Sequence, residues 1–407
     1  MSYLDKLLDG VAVEWKPLRD VCDFQNGFAF KSNLFKDKGL PIVRITNIDG
    51  INVDLTDVKY FDPTDYNSGN PLNYFIEKGD VLIAMSGATT GKIGYYNLNE
   101  IAYLNQRVGK FIPNKALISN KYLYYFLLTK TEFLNILAGG GAQPNLSSNS
   151  LKEKLKIPIP SLEIQKEIVR ILDTFTELTT ELTTELTARK KQYNYYRDQL
   201  LSFENGTVQW KPLAEVGELI RGNGLPKADF TEKGVPAIHY GQIYTYYGVY
   251  TSKTISFVST ETAKKLSKVN HGDVVITNTS ENLEDVGKAV VYLNKEQAVT
   301  GGHATVFKPS KDITGKFFAY FTQTPHFSNQ KRKYAKGTKV IDVSANDMAK
   351  IIIPIPPLEE QERIVRILDK FDTLTTSISE GLPKEIELRQ KQYEYYRDML
   401  LTFPTDN

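Results

Sequence analysis

Ile157-Pro158-Ile159-Pro160 opens a long run that ends at Phe203, and Ile353-Pro354-Ile355-Pro356 opens another that ends at Phe403. The first continues Leu162-Glu163-Ile164-Gln165, then Ile168-Val169-Arg170-Ile171-Leu172-Asp173. The second continues Leu358-Glu359-Glu360-Gln361, then Ile364-Val365-Arg366-Ile367-Leu368-Asp369. Both close alike, on Lys191-Gln192-Tyr193-Asn194-Tyr195-Tyr196-Arg197-Asp198 and Lys391-Gln392-Tyr393-Glu394-Tyr395-Tyr396-Arg397-Asp398.

The apolar spacing makes each run a coiled-coil strand. Ile164, Ile168, Ile171, Phe175, Leu178 and Leu182 step by 4, 3, 4, 3 and 4, an a/d seam, and Leu186 adds a further 4. Two successive steps of 4 form a stutter that locally unwinds a supercoil. Thr179-Thr180-Glu181-Leu182 and Thr183-Thr184-Glu185-Leu186 are tandem copies of one unit. The second run keeps Ile364, Ile367, Phe371, Leu374 and Ile378. The offset between the runs grows from 364 − 168 = 196 to 393 − 193 = 200. The four extra residues fall near Gly381-Leu382-Pro383, where Gly can end one helix and Pro begin the next. The second helix should therefore kink or break there.

The repeat extends beyond the helices. Val13-Glu14-Trp15-Lys16-Pro17-Leu18 matches Val208-Gln209-Trp210-Lys211-Pro212-Leu213, and Tyr3-Leu4-Asp5-Lys6-Leu7-Leu8 echoes the helix end at Tyr196–Leu201. The chain is thus two copies of one unit of about two hundred residues, a duplicated domain rather than a solenoid, cut at its helix end. The short N-terminal helix should lie beside the C-terminal helix end, as the join Phe203–Val208 does in the middle. Each copy reads as a mixed α/β domain. Pro41–Ile48, Gly79–Ala84 and Val108–Ile112 read as strands and Lys121–Leu137 as a helix. Their counterparts are Pro236–Ile243, Gly272–Thr277, Ala304–Phe307 and Lys316–Phe327.

Composition narrows the class. With 407 residues and 41% hydrophobic content there is enough for two or three domains with real cores. The single Cys, Cys22, excludes a disulfide framework and suits a reducing cytoplasm; it reads as a small buried hydrophobe. No signal-length apolar N-terminus and no membrane-length run appear. A net charge of +2 argues against a purely electrostatic binder of nucleic acid. Lys331-Arg332-Lys333, Lys336 and Lys339 form a basic stretch with no acid inside it, whose ordinary reading is a solvated surface.

Catalytic signatures fail one by one. Gly87-Ala88-Thr89-Thr90-Gly91-Lys92 imitates a phosphate loop, but three residues separate the glycines and Ile93 stands where a hydroxyl should meet magnesium. His239, His271, His303 and His326 lack metal-ligand spacing. Neither a Gly-x-Ser-x-Gly elbow nor a Gly-x-Gly-x-x-Gly turn follows a strand, and no Asn-Pro-Pro-Tyr-like tetrad marks a methyltransferase. Asp80 and Asp273 follow glycines at strand entrances and read as turn residues. No catalytic residue, metal site or cofactor is expected.

The Trp-Lys-Pro-Leu openings, the Gly-Asp strands, the Pro-Ile-Pro helix starts, the Gln165 and Gln361 contexts and the Thr-Thr-Glu-Leu units recur in one order, twice. In that order the chain resembles the DNA-specificity subunit of type I restriction-modification systems, over essentially its whole length. The resemblance implies an α+β, pseudo-twofold molecule: two mixed target-recognition domains separated by two long antiparallel helices forming a coiled coil. The division would be residues 1–10 as a helix completing the cyclic repeat and 11–156 as the first recognition domain. Residues 157–205 would be the central spacer helix, 206–352 the second domain and 353–407 the distal spacer helix. It further implies that each domain reads one half of a split duplex site. Each half would dock a separate methyltransferase subunit that binds S-adenosylmethionine. There is also a place for a translocase-nuclease subunit.

Base reading needs amides, hydroxyls and cations at groove edges. The candidates are Lys31, Arg44, Thr89, Thr90, Lys92, Gln106 and Arg107 in the first domain. In the second they are Arg221, Lys227, His239, Gln242, Asn278, Asn282, Lys288, Lys331, Arg332 and Lys333. Tyr244, Tyr246 and Tyr247 read more cheaply as the core face of a strand. Two other readings compete: a duplicated scaffold that joins protein partners without reading DNA, and a stand-alone nuclease.

Overall fold

The computed structural model describes residues 3–139, 144–203, 206, 208–377 and 379–404. The chain divides into two compact units: Met1–Thr180 with Leu388–Asn407, and Glu181–Glu387.

In the first unit, strand Glu14–Pro17 pairs antiparallel with Lys156–Ile159, placing Trp15 opposite Pro158. A two-stranded ribbon is all edge, so the prolines at 17 and 158 cost no ladder hydrogen bond. Behind it lie two four-stranded sheets. One runs Cys22–Asn26, Val108–Pro113, Val81–Ala84, Ile93–Tyr95, all antiparallel. The other runs Lys59–Phe61, Leu40–Val43, Ala102–Leu104, Phe75–Ile76, with Leu40–Val43 parallel to Ala102–Leu104. The second unit repeats the plan. Gln209–Pro212 pairs with Ile352–Ile355, and two five-stranded sheets replace the four-stranded ones.

Several elements are shorter than their sequences suggest. The strand expected at Pro41–Ile48 stops at Val43, because Asn47 Oδ1 accepts the Arg44 amide at 3.0 Å and winds Ile45–Asn47 into a 3-10 turn. Its counterpart stops at Ile238, where Gln242 Oε1 accepts the His239 amide at 3.1 Å and opens a helix, Tyr240–Thr245. Tyr244 is therefore helical rather than on a strand face, and Tyr246 is exposed. The helix expected at Lys121–Leu137 is two, Asn120–Leu128 and Thr131–Leu137. The one expected at Lys316–Phe327 is also two, Gly315–Phe321 and Pro325–Tyr334. The second starts on a Thr324 cap with Pro at its first position, where a missing amide is harmless.

The central helix is continuous over Leu162–Leu200. One face enters its own domain: Gln165, Ile168 and Leu172 are wholly buried, the two aliphatic side chains contributing about 1.5–3 kcal/mol each. The repeat-related Gln361, Ile364 and Leu368 are equally buried in the second unit. Both glutamines act as staples. Gln165 Nε2 donates to the carbonyls of Leu117 and Pro160 at 2.8 and 2.9 Å, and its Oε1 accepts from the Ser119 amide at 3.0 Å. Gln361 does the same with Asp312, Pro356 and Thr314, each at 2.9 Å. Two turns on, Asp173 accepts from Lys121 and the Tyr125 hydroxyl, both at 2.6 Å, and Asp369 from Lys316 and Tyr320, both at 2.7 Å.

The remaining seam positions are partly buried: Ile164, Ile171, Phe175, Leu178, Leu182 and Leu186 on the central helix, Ile367, Phe371 and Leu374 on the distal one. Ile378 lies outside the described residues. In the first unit Phe175 stacks on Tyr396 at 5.1 Å, while Leu400, Leu401 and Phe403 share a cluster with Ile168 and Leu172. The two helix segments thus run in opposite senses. In the second unit Tyr196 stacks on Phe371 at 5.7 Å, and Leu201 joins Ile364 and Leu368. Leu4 and Leu8 of the N-terminal helix fall in the same cluster as Leu400 and Leu401. At the corresponding join in the middle, Glu204, Asn205 and Thr207 lie outside the described residues. The distal run is broken into Leu358–Thr376 and Gly381–Leu401. Gly381 sits at φ +79°, and a Cβ there would come within 2.3 Å of the Thr373 carbonyl oxygen. Only glycine makes that turn without a clash.

Candidate nucleic-acid interface

In the first domain the ends of four strands converge through backbone hydrogen bonds. Asn105 N donates to Val43 O, and Met85 N to Arg107 O. The loop that follows Ala84 returns at Gly91 N to Ala84 O and is tied to the other sheet where Thr89 Oγ1 donates to Ile45 O at 3.3 Å. Arg44, Thr89, Lys92, Gln106 and Arg107 therefore meet at one end of the paired sheets. Gln106 and Arg107 are exposed, and Arg44, Thr89 and Lys92 are half-buried. Arg44 Nε is buried and meets no acceptor among the described residues. Lys31 is exposed at the start of the turn Ser32–Leu34. Thr90 is buried, its hydroxyl spent on the carbonyls of Gly87 and Pro144 at 2.6 and 3.1 Å. The amides of Gly87, Thr90, Gly91 and Lys92 all donate to carbonyls, so the loop has no ring of open amides with which to cradle a phosphate.

The second domain builds the same corner from other residues. Asn278 N donates to His303 O, as Met85 N does to Arg107 O. Asn278 itself is buried, its amide divided between Val343 O at 2.8 Å and the Thr305 hydroxyl at 2.9 Å. The loop beyond it carries Asn282, whose Oδ1 accepts the Asp285 amide and whose Nδ2 donates to Asp285 Oδ2, both at 2.8 Å. Lys288 pairs with Asp285 at 2.6 Å. Burial works against the Asp285 carboxylate, yet Lys288 and Asn282 outweigh it and hold the pKa below the usual range. His239 caps the helix Tyr240–Thr245 by accepting the Gly241 amide on Nδ1 at 3.2 Å. Burial first, then Lys227 and His303, push its pKa down, so it stands as a neutral cap. Gln242 spends Oε1 on His239 and Nε2 on Ser256 Oγ at 2.6 Å. Arg221, Lys227, Arg332 and Lys333 are exposed; Lys331 is buried.

One candidate escaped sequence reasoning. His303 is exposed, lies in the left-handed region at φ 69°, and packs against Tyr240 at 5.1 Å. It stands 196 residues after Arg107, the offset that also relates the two strands beyond them, Val108–Pro113 and Ala304–Pro309. That offset was the signal available.

Residues 11–190 and 205–388 each match the family model described as the type I restriction modification DNA specificity domain. The chain belongs to this family. A relative is the EcoR124I/EcoR124II type I restriction enzyme specificity subunit of Escherichia coli, 37% identical over 421 residues, covering 99% of this chain and 98% of the relative. Among solved structures, the S subunit of a type I restriction-modification system from M. genitalium superposes with a TM-score of 0.56 at 17% identity, covering 100% of both chains. A chain from a study of complex assembly and conformational transition in the type I R-M system gives 0.58 at 18% identity, covering 96% of this chain and 98% of the other. At those identities the structures speak for the fold alone: two mixed helix-and-strand domains, with the long helix Leu162–Leu200 following the first along the chain. Among the described residues there is no group of His, Cys, Asp or Glu able to hold a metal, and no helix is long and apolar enough to cross a membrane.

Proposed function

We propose that this specificity subunit reads a bipartite duplex site, residues 11–156 taking one half and residues 206–352 the other. The chain is a DNA sequence-recognition subunit of a type I restriction-modification complex, with the catalysis in its partner subunits. The observation that carries the bipartite reading is the pairing of an equal frame with unequal loops. The glutamine staples and the aspartate anchors repeat residue for residue, whereas the sheet corners display Arg44, Lys92, Gln106 and Arg107 in one domain and Asn282, Lys288 and His303 in the other.

The exposed cations Lys31, Arg221, Lys227, Arg332 and Lys333 suit phosphate contacts, which position but do not specify. Gln242 serves by shaping the corner, since both polar atoms of its amide are already engaged, and His239 shapes it through Nδ1, with Nε2 left to donate. The helical segments 157–205 and 353–407 set the distance between readers through the seam from Ile164 to Leu186 and its partner from Ile364 to Leu374. Each half of the molecule docks one methyltransferase subunit in the cytoplasm, with restriction subunits joining the assembly.

Co-expression with a methyltransferase subunit, followed by genome-wide mapping of methylated adenines, tests this. Two defined half-sequences separated by a constant undefined gap are expected. A single contiguous motif, or no methylation, would contradict it.

A further inference from the structure

Lys331, Arg332 and Lys333 are adjacent in a basic run but do different things. They lie on the helix Pro325–Tyr334, whose inward face at i and i+4 carries Phe327 and Lys331. Arg332 and Lys333 face outward and are exposed, whereas Lys331 is 4% exposed. Its ammonium donates to the carbonyls of Val286 at 2.6 Å and Glu284 at 3.3 Å, both in the loop that presents Asn282 and Lys288. Directly after the Val286 anchor sits Gly287 at φ +78°, and a Cβ there would lie 2.7 Å from Lys331 Cδ. The loop has been fitted around the lysine stem. The first domain uses the same geometry with a neutral group. Gly91, 196 residues before Gly287, is approached by Asn135 Oδ1, 196 residues before Lys331.

We propose that Lys331 is a positioning residue for DNA recognition, holding the loop Glu281–Lys288 in one conformation through its carbonyls and making no DNA contact of its own. The proposal rests on the assignment of residues 206–352 as the reader of one half-site. A buried cation is a strong clamp for carbonyl oxygens because it donates up to three charge-assisted hydrogen bonds in a weakly screened site. Its burial pushes the pKa down to about 8, against the pull of Glu284.

The test uses the full chain co-expressed with its methyltransferase subunit and duplexes in which either half of the mapped site is scrambled. Lys331→Met should lower discrimination at the second half-site about tenfold, leave discrimination at the first half-site intact, and leave the slope of log affinity against log salt unchanged. Lys331→Gln, which keeps a donor, should fall between parent and Met, and it carries the test alone if the Met variant does not fold. Arg332→Gln with Lys333→Gln should instead weaken binding to every duplex and flatten the salt slope by roughly one per lost phosphate contact. A salt slope flattened by Lys331→Met, with half-site discrimination retained, would overturn the proposal. A parent that discriminates neither half-site would sink the bipartite reading instead.

Discussion

The loop Ser86–Lys92 and the loop Asn278–Lys288 leave equivalent strands and return to equivalent Gly-Lys pairs, yet opposite chemistry holds them. The first is held by neutral groups: Thr90 bridges two carbonyls, Thr89 reaches Ile45, and Asn135 covers Gly91. The second is held by charge: Lys331 grips it from below, and Asp285 gathers Asn282 and Lys288 above. The frames beneath hardly differ, the two glutamine staples repeating their hydrogen bonds at 2.8–3.0 Å. The difference teaches that the frame supplies a strand end and one contact on a glycine. Between those points the two domains use different side chains, and on the proposed reading that stretch is where a change of target would fall.

If the frames are equivalent, breaking them should cost the same. Gln165→Leu leaves the Ser119 amide and the carbonyls of Leu117 and Pro160 without their partner, the Pro160 bond being the buried one, and Gln361→Leu does likewise for Thr314, Asp312 and the buried Pro356 bond. At about 1–3 kcal/mol for the one buried orphaned carbonyl, each variant should lose about 2 kcal/mol in urea unfolding, and the two losses should agree to within about 1 kcal/mol. A large loss in one domain and a small one in the other would break the comparison.

A smaller effect sharpens it. One turn beyond the aspartate anchors, the first unit has Thr176 and the second Asp372. Burial first, and Asp369 as well, raise the Asp372 pKa. A carboxylate whose folded pKa is raised is penalised wherever the unfolded chain would ionise it. Its cost is therefore absent at acid pH and grows as pH climbs from the ordinary aspartate value through the raised one. Asp372→Thr, which makes the second unit resemble the first, should stabilise by about 1 kcal/mol at neutral pH and by much less near pH 4. Urea midpoints at the two pH values check this. An equal gain at both would show that packing, not charge, separates the two positions.

How much of this could be read beforehand follows from where the determinants lie. The duplication and the long helices are written in local order: repeated motifs and apolar steps of 3 and 4. The break at Gly381 is equally local, because glycine and proline act through their own backbone. The strand at Pro41–Ile48 was overestimated because its end depends on Asn47 turning back on Arg44, which looks no different in sequence from a polar residue on an exposed strand face. Tyr244, Tyr246 and Tyr247 imitate strand alternation for the same reason: the capping of Tyr240–Thr245 by His239 and Gln242 overrides it. The basic run at Lys331 misled because burial is a long-range fact. Nothing in Lys331-Arg332-Lys333 says which lysine meets Gly287, 44 residues earlier. His303 was legible only through the repeat offset.

The central claim is that two unlike readers are held at a set distance by a helical spacer. In the tract Thr179–Leu186 hydroxyls turn back onto the helix itself, Thr179 on Phe175 O at 2.9 Å and Thr180 on Thr176 O at 2.8 Å, so the spacer's length is set by its residue count. One four-residue unit spans ~6 Å at ~1.5 Å per residue, close to about two base pairs at ~3.4 Å each. The most direct measurement deletes Thr183–Leu186 and maps the methylated adenines again. Both half-sequences should persist with the gap between them shortened; an unchanged gap, or altered half-sequences, would contradict the account.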